Sequence, residues 1–215
     1  MGIIKWGILG GFRKKTGTVA GAYVRGQDII RALPRTSNKP PTVPQSNQRF
    51  KFGLVVSFLS LISEWIDLAY KKGSSPASSM NKAVSDHLKN AVTGVAPNFT
   101  FDYTKLKFST GKLAIPTVYS VDVTAPAKID FNWSLDGLDS KYKDATDKIN
   151  VMVYNPTKNQ FVALMAAAPR SALTFTLQLP LEFTGDDVYC YFSFSSTTKK
   201  NLHSKSVYVL MIPVA

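Results

Sequence analysis

A chain of 215 residues, 45% apolar and 19% charged, has the size and composition of one large domain or of one domain with an appendage. Its single cysteine, Cys190, excludes an intramolecular disulfide framework. The net charge of +12 is concentrated at one end: residues 1–51 hold ten Lys/Arg against one acid, Asp28, whereas the rest of the chain holds 16 against 13. Such asymmetry implies an anionic partner, whether nucleic acid, another polyanion or an acidic patch on a copy of the same chain.

The first 26 residues contain seven of the thirteen glycines, a density that argues against a helix. Residues 1–11 lack the charged lead, apolar run and cleavage site of a secretory signal. The expectation is therefore synthesis as a soluble protein, with export by another route left open. Residues 18–24 read as a strand, residues 25–28 as a turn with Gly26 able to take a positive φ, and residues 29–33 as a returning strand. The result is a β-hairpin arm, and a lone hairpin is marginal in water, so it must pack on something. Arg13, Lys14, Lys15, Arg25, Arg31 and Arg35 on and around it are candidate contacts to an anionic partner, with Phe12 or Tyr23 available for stacking. Residues 34–44, PRTSNKPPTVP, form an extended spacer.

A helix is expected over residues 45–72. Phe50, Leu54, Phe58 (or Leu61), Trp65 and Leu68 recur at helical spacing, and Phe52, Val55, Val56, Leu59, Ile62, Ile66 and Ala69 widen the stripe well past one face. A helix this apolar is buried on more than one side, and in a short chain the second side points to another subunit. Val19, Tyr23, Ile29 and Ile30 on the hairpin, with Phe58 and Trp65 on this helix, are accordingly the candidate assembly contacts. A second helix fits residues 79–92, with Met80, Val84, Leu88 and Val92 in line, His87 beside them and Gly94 as the stop.

From Asn98 the pattern changes to period two. Phe99, Phe101 and Tyr103 alternate, Leu106 and Phe108 continue the run, and strands follow at residues 119–123, 129–133, 149–154, 161–165, 173–179, 188–194 and 207–212. Seven or eight short strands over about a hundred residues mark an antiparallel β-sandwich of the immunoglobulin or fibronectin III-like kind, here without the paired cysteines. Trp133 and Tyr189 are its expected core anchors. The whole chain thus reads as mainly β, with a basic hairpin arm and linker at 1–44, a helical segment at 45–96 and the sandwich at 97–215.

Chemistry is sparse. GILGGFRKKTGTVAG at residues 7–21 puts Thr16 where a P-loop needs glycine, and a strand follows it instead of a helix. His87, His203 and Cys190 are too scattered to form a zinc cluster or a Cys–His pair, and no G-x-S-x-G elbow is present. Asp136, Asp139, Asp144 and Asp147 lack the order of a calcium loop and are interleaved with Lys141, Lys143 and Lys148, as in a solvated loop of mixed charge. Cys190 alternates within VYCYF as a buried strand residue. The expectation is a protein that is not an enzyme and takes no cofactor or metal.

The GILGGFRKKTGTVAG opening resembles a family of uncharacterised proteins found mainly in Bacteroidota genomes. So do Gly26 with Ile29-Ile30-Arg31, Pro34-Arg35-Thr36, Lys39-Pro40, Gln48-Arg49-Phe50, residues 151–156 and the closing residues 206–209. Members more often read Ser-Gly-Lys where this chain has Arg13-Lys14-Lys15. The family is a domain of unknown function, so the resemblance implies a layout and no activity. Three expectations result. The first is a structural protein that self-associates through its arm and apolar helix, a layout shared with some virion coat proteins. The second is a nucleic-acid-binding protein, tolerant of sequence, that uses the basic arm. The third is a surface or carbohydrate-binding module that uses sandwich loops and Tyr142.

Overall fold

The computed structural model describes residues 2–3, 11, 13–24, 26–34, 38–70, 77–136 and 142–214. The chain forms two compact units, Met1–Val43 and Pro44–Ala215, and is mainly β with antiparallel sheets, as the alternating pattern implied.

The N-terminal unit holds β1 (Gly2–Ile3), β2 (Lys14–Thr16), β3 (Val19–Val24) and β4 (Gln27–Ala32), in the sheet order β1-β4-β3-β2. The expected hairpin is β3–β4, with Val24 opposite Gln27 and Val19 opposite Ala32. It is the middle of a larger sheet, because β2 folds back on β3 with Thr16 opposite Val19. That leaves a two-residue loop, Gly17-Thr18, in which Gly17 has φ +60°. A glycine at the first central position of so short a loop suits the right-handed twist of the strands that it joins.

In the second unit the expected single helix is two. α1 (Val43–Ser60) and α2 (Ser63–Ala69) meet at an angle of 85°. No single helix among the described residues is long and apolar enough to cross a membrane. The break has a local cause. Ser57 Oγ donates to the Leu54 carbonyl at 3.0 Å and Ser60 Oγ to the Ser57 carbonyl at 2.7 Å, so both hydroxyls compete for the helix acceptors. The amides of Leu61 and Ile62 then fall back to carbonyls three residues earlier, at 3.4 and 3.2 Å. α3 (Ser79–Asn90) lies where the periodicity put it and is capped by Ser78, whose side chain accepts from the Asn81 amide at 3.2 Å. Gly94 is not its stop. The helix ends at Asn90, and Gly94 lies within β5 (Val92–Val95), which pairs with β6 (Asn98–Phe101). Past β6 the period-two reading fails: residues 103–105 form a 3-10 turn, and Leu106 and Phe108 are buried from irregular chain.

All seven sandwich strands are present. They are β7 (Tyr119–Ala125), β8 (Lys128–Trp133), β9 (Lys148–Asn155), β10 (Gln160–Pro169), β11 (Thr174–Gln178), β12 (Asp187–Ser195) and β13 (Val207–Pro213). One sheet is β11-β8-β7 and the other β10-β9-β12-β13. The fourth strand therefore joins the third, in contrast to the immunoglobulin constant arrangement, where it lies on the other sheet. Val121, Ile129, Phe131 and Trp133 face Ile149, Val151, Val153, Cys190, Phe192 and Phe194 to make the core between the sheets. Trp133 anchors it as expected, and its indole Nε1 donates to the Arg170 carbonyl at 2.7 Å.

The four-stranded sheet has a second buried face. Met152, Tyr154 and Tyr191 point away from the sandwich core and pack with Val55, Phe58, Leu59, Trp65 and Ile66 of the helices. The molecule in this unit is thus three layers deep, and much of the apolar width of the two helices, which the sequence pattern had assigned to a second subunit, is covered by the chain's own sheet. Tyr189 belongs to this outer layer and is no sandwich anchor: it is half-buried and its ring lies 4.6 Å from that of Tyr103.

Candidate interaction surface

The strand register sorts the basic residues of the N-terminal unit. Lys15, Ala20 and Arg31 are directly opposite one another across β2, β3 and β4, so their side chains share one face. Two strand spacings separate the cations by about 10 Å, and the methyl group of Ala20 leaves the space between them open. Lys14 stands in the neighbouring row with Gly21 and Ile30, and so on the other face. It has φ +73°, in the left-handed region, which costs a residue other than glycine about 1 kcal/mol. The Arg13 guanidinium lies 5.0 Å above the ring of Tyr23, which is 52% exposed. The tyrosine expected to stack on a ligand thus stacks on an arginine of its own unit, a cation–π pair worth about 0.5–1 kcal/mol at an exposed site. Arg25 and Arg35, and Phe12, lie outside the described residues.

The apolar candidates divide in the same way. Val19, Tyr23 and Ile30 fall on the face with Lys14, and Ile29 falls with Ala20 and Ala22 on the face with Lys15. Val19, Ile29 and Ile30 are half-buried, and Gly21 is the one buried residue among those described in the unit.

Phe58 and Trp65, expected as assembly contacts, are buried within the chain itself. Each is less than a tenth exposed, inside the outer core of the second unit. The Phe58 ring lies 4.5 Å from Phe101 and 5.2 Å from both Tyr154 and Phe161, and Trp65 Nε1 donates to the Phe108 carbonyl at 3.2 Å. The large apolar residues that α1, α2 and their junction leave exposed are Val43, Phe50, Phe52, Leu61 and Leu68.

The titratable groups of the second unit are built into its structure. Cys190 is fully buried, and burial pushes its thiol up to about 12. His87 is also buried: its Nδ1 meets the Ala83 carbonyl at 2.7 Å and its Nε2 accepts from the Lys107 amide at 3.3 Å. Burial holds it below the ordinary histidine range. Asp136 accepts from the Ser134 hydroxyl and from the hydroxyl and amide of Thr117, all at 2.6 Å, and these bonds hold its carboxyl at about 2. Asp147 departs from the expected solvated loop. It has no exposed surface and lies 3.6 Å from Arg170 Nη2. Arg170, which the sequence pattern did not single out, also donates to the Ala114 carbonyl at 2.7 Å and stacks 4.1 Å from the Phe194 ring centre. Asp139 and Lys141 lie outside the described residues. Among those described, no three His, Cys, Asp or Glu side chains converge as metal ligands would.

A family model matches residues 11–210, which takes in β2 to β4, the helical layer and the sandwich up to β13. The chain belongs to this family of unknown function, DUF6266. The match runs without interruption from β2 of the N-terminal sheet into the last strand of the sandwich. No curated protein matches the chain.

Proposed function

We propose that this DUF6266 protein is a non-enzymatic structural protein that self-associates, and that its N-terminal sheet makes the contact. The supporting observation is the composition of that sheet's two faces. Val19 and Ile30 lie on one and Ala20, Ala22 and Ile29 on the other, and among the described residues of the unit there are strands and no helix to cover either. A sheet is stable when one face at least is packed against another layer. A second copy of the same sheet offers a matching apolar surface, and the lysines and arginines then fall at the rim. Light scattering on the purified chain tests this reading. Assembly that is lost on Val19→Asp or Ile30→Asp supports it. A chain that stays monomeric at high concentration and low salt overturns it.

The Lys15–Ala20–Arg31 row favours a second reading, in which the same sheet holds the backbone of a nucleic acid without regard to sequence. Two cations on one flat face, with only a methyl group between them, would accommodate a phosphate chain. Purified protein that carries no nucleic acid and takes up none at low salt rejects it.

A further inference from the structure

An open groove of about 630 Å³ runs between α1 and α3. Its floor is apolar, made by Phe52 and Val56 from α1 and by Val84 and Leu88 from α3, each pair one helical turn apart. Phe52 is 51% exposed there. Lys51 and Lys89 stand along the rim, and none of the groove's lining residues is acidic. α1 contains no Asp or Glu, and the one acid of α3, Asp86, is engaged by the Tyr70 hydroxyl at 3.5 Å and by Lys107 at 3.6 Å. The Lys51 ammonium is held 4.8 Å above the Phe99 ring. The site therefore asks for an apolar ridge with acidic residues beside it.

The same unit carries such a ridge elsewhere. Leu61, in the turn that precedes α2, and Leu68, in its last turn, are 53% and 61% exposed, and Glu64 and Asp67, both exposed, lie between them in the chain. Leu61, Glu64 and Leu68 border the same stretch of surface. Of the three α-helices among the described residues, α2 alone has acids and no bases; the groove has bases and no acids, and an unburied phenylalanine.

We propose that the α2 ridge of one copy docks in the α1–α3 groove of another, with Leu61 and Leu68 on the apolar floor and Glu64 and Asp67 against Lys51 and Lys89. The contact joins two different surfaces, so it is heterologous and each copy keeps a free ridge and a free groove. Contacts of this type grow into rings or open filaments. It is independent of the N-terminal sheet, although it shares with the reading above the premise that the protein self-associates. A lipid surface is a poorer occupant, since a broad bilayer does not reach a floor where Val84 is only 7% exposed.

The test is charge exchange in full-length protein that carries Ile30→Asp to silence the N-terminal sheet. One variant adds Lys51→Glu and Lys89→Glu, and another adds Glu64→Lys and Asp67→Lys. Sedimentation should show concentration-dependent association of the Ile30→Asp parent. Each variant alone should associate about tenfold more weakly or worse, because both of its surfaces then carry the same sign. An equimolar mixture should recover the parent's association, since groove and ridge are complementary again. Far-UV circular dichroism checks that each variant is folded. A monomeric parent overturns the proposal, as does a variant that associates as well as the parent or a mixture that recovers nothing. Binding of phosphatidylserine vesicles by the parent, lost on Lys51→Glu and Lys89→Glu without any self-association, would assign the groove to a membrane and overturn it too. The N-terminal reading fails separately, if Ile30→Asp leaves the assembly of the otherwise natural chain unchanged.

Discussion

Arg170 and Asp147 face each other at 3.6 Å with almost no exposure to solvent, 1% and 0% of their side chains respectively. Burial pushes the Asp147 carboxyl up and the Arg170 guanidinium down, so for each ion the loss of water outweighs the attraction of its partner. The pair fixes geometry more than it adds stability: the backbone of Arg170 accepts from Trp133 and its side chain reaches the Ala114 carbonyl, which ties three segments together. Removing one ion should be far worse than removing both. Arg170→Met should cost about 3–5 kcal/mol in urea unfolding, and Arg170→Met with Asp147→Leu should recover much of it. Equal losses in the single and double variants would show that the ions do not act as a pair.

His87 makes the stability of the helical layer depend on acidity. With Nδ1 donating to Ala83, Nε2 must be bare to accept from the Lys107 amide, so only the neutral ring fits. Its folded value is depressed below the ordinary value near 6.5, with burial as the main cause. In the window below 6.5 the unfolded chain therefore binds a proton that the folded chain refuses. The stabilisation is complete above that value and falls as pH drops through it. Melting temperatures measured from pH 8 down to about pH 5 should decline more steeply for the natural chain than for His87→Gln, which has no titrating group at that position.

Phe58 is a core residue with four aromatic neighbours, Phe101, Phe108, Tyr154 and Phe161. Phe58→Ala should cost about 3–5 kcal/mol of stability. Light scattering under native conditions should show the same assembly state as the unaltered chain. A variant of full stability that loses assembly would restore Phe58 to the interface.

Lys14 and Lys15 are adjacent in sequence and lie on opposite faces of a sheet. If the Lys15 face meets phosphates, Lys15→Gln with Arg31→Gln should flatten the slope of log affinity against log salt for single-stranded DNA by about 1.4, from a contribution of about 0.7 per phosphate. Lys14→Gln should leave the slope unchanged. Equal effects of the two lysines would mean diffuse attraction by the basic segment and no ordered face.

The sandwich was legible because most of its strands alternate apolar and polar residues between clear turn signals, and each of the seven strands expected from that pattern is present. The break after Ser60 was not legible. Serine at 57 and 60 reads as an interruption of an apolar run, and its effect on the helix depends on two hydroxyls turning back onto carbonyls. β9 and β12 misled in another way. A strand apolar on both sides gives no clue as to which set of residues faces which layer, so Tyr189 was placed in the wrong core. Asp147 shows the limit of composition: a carboxylate among lysines looks solvated until Arg170, 23 positions later, is brought to it. In the N-terminal unit the basic residues were evident, but their division between two faces depends on the register that Gly17-Thr18 sets.

Because β9 and β12 are walled in by a sheet on one side and helices on the other, the two hydrophobic clusters share the same pair of strands. Neither cluster can open without exposing the back of the other. Heat or denaturant should therefore melt helices and sandwich in one cooperative step, and the amides between these two strands should be the last to exchange with deuterium. Residues 44–215 are in that sense a single melting unit with a double-sided spine.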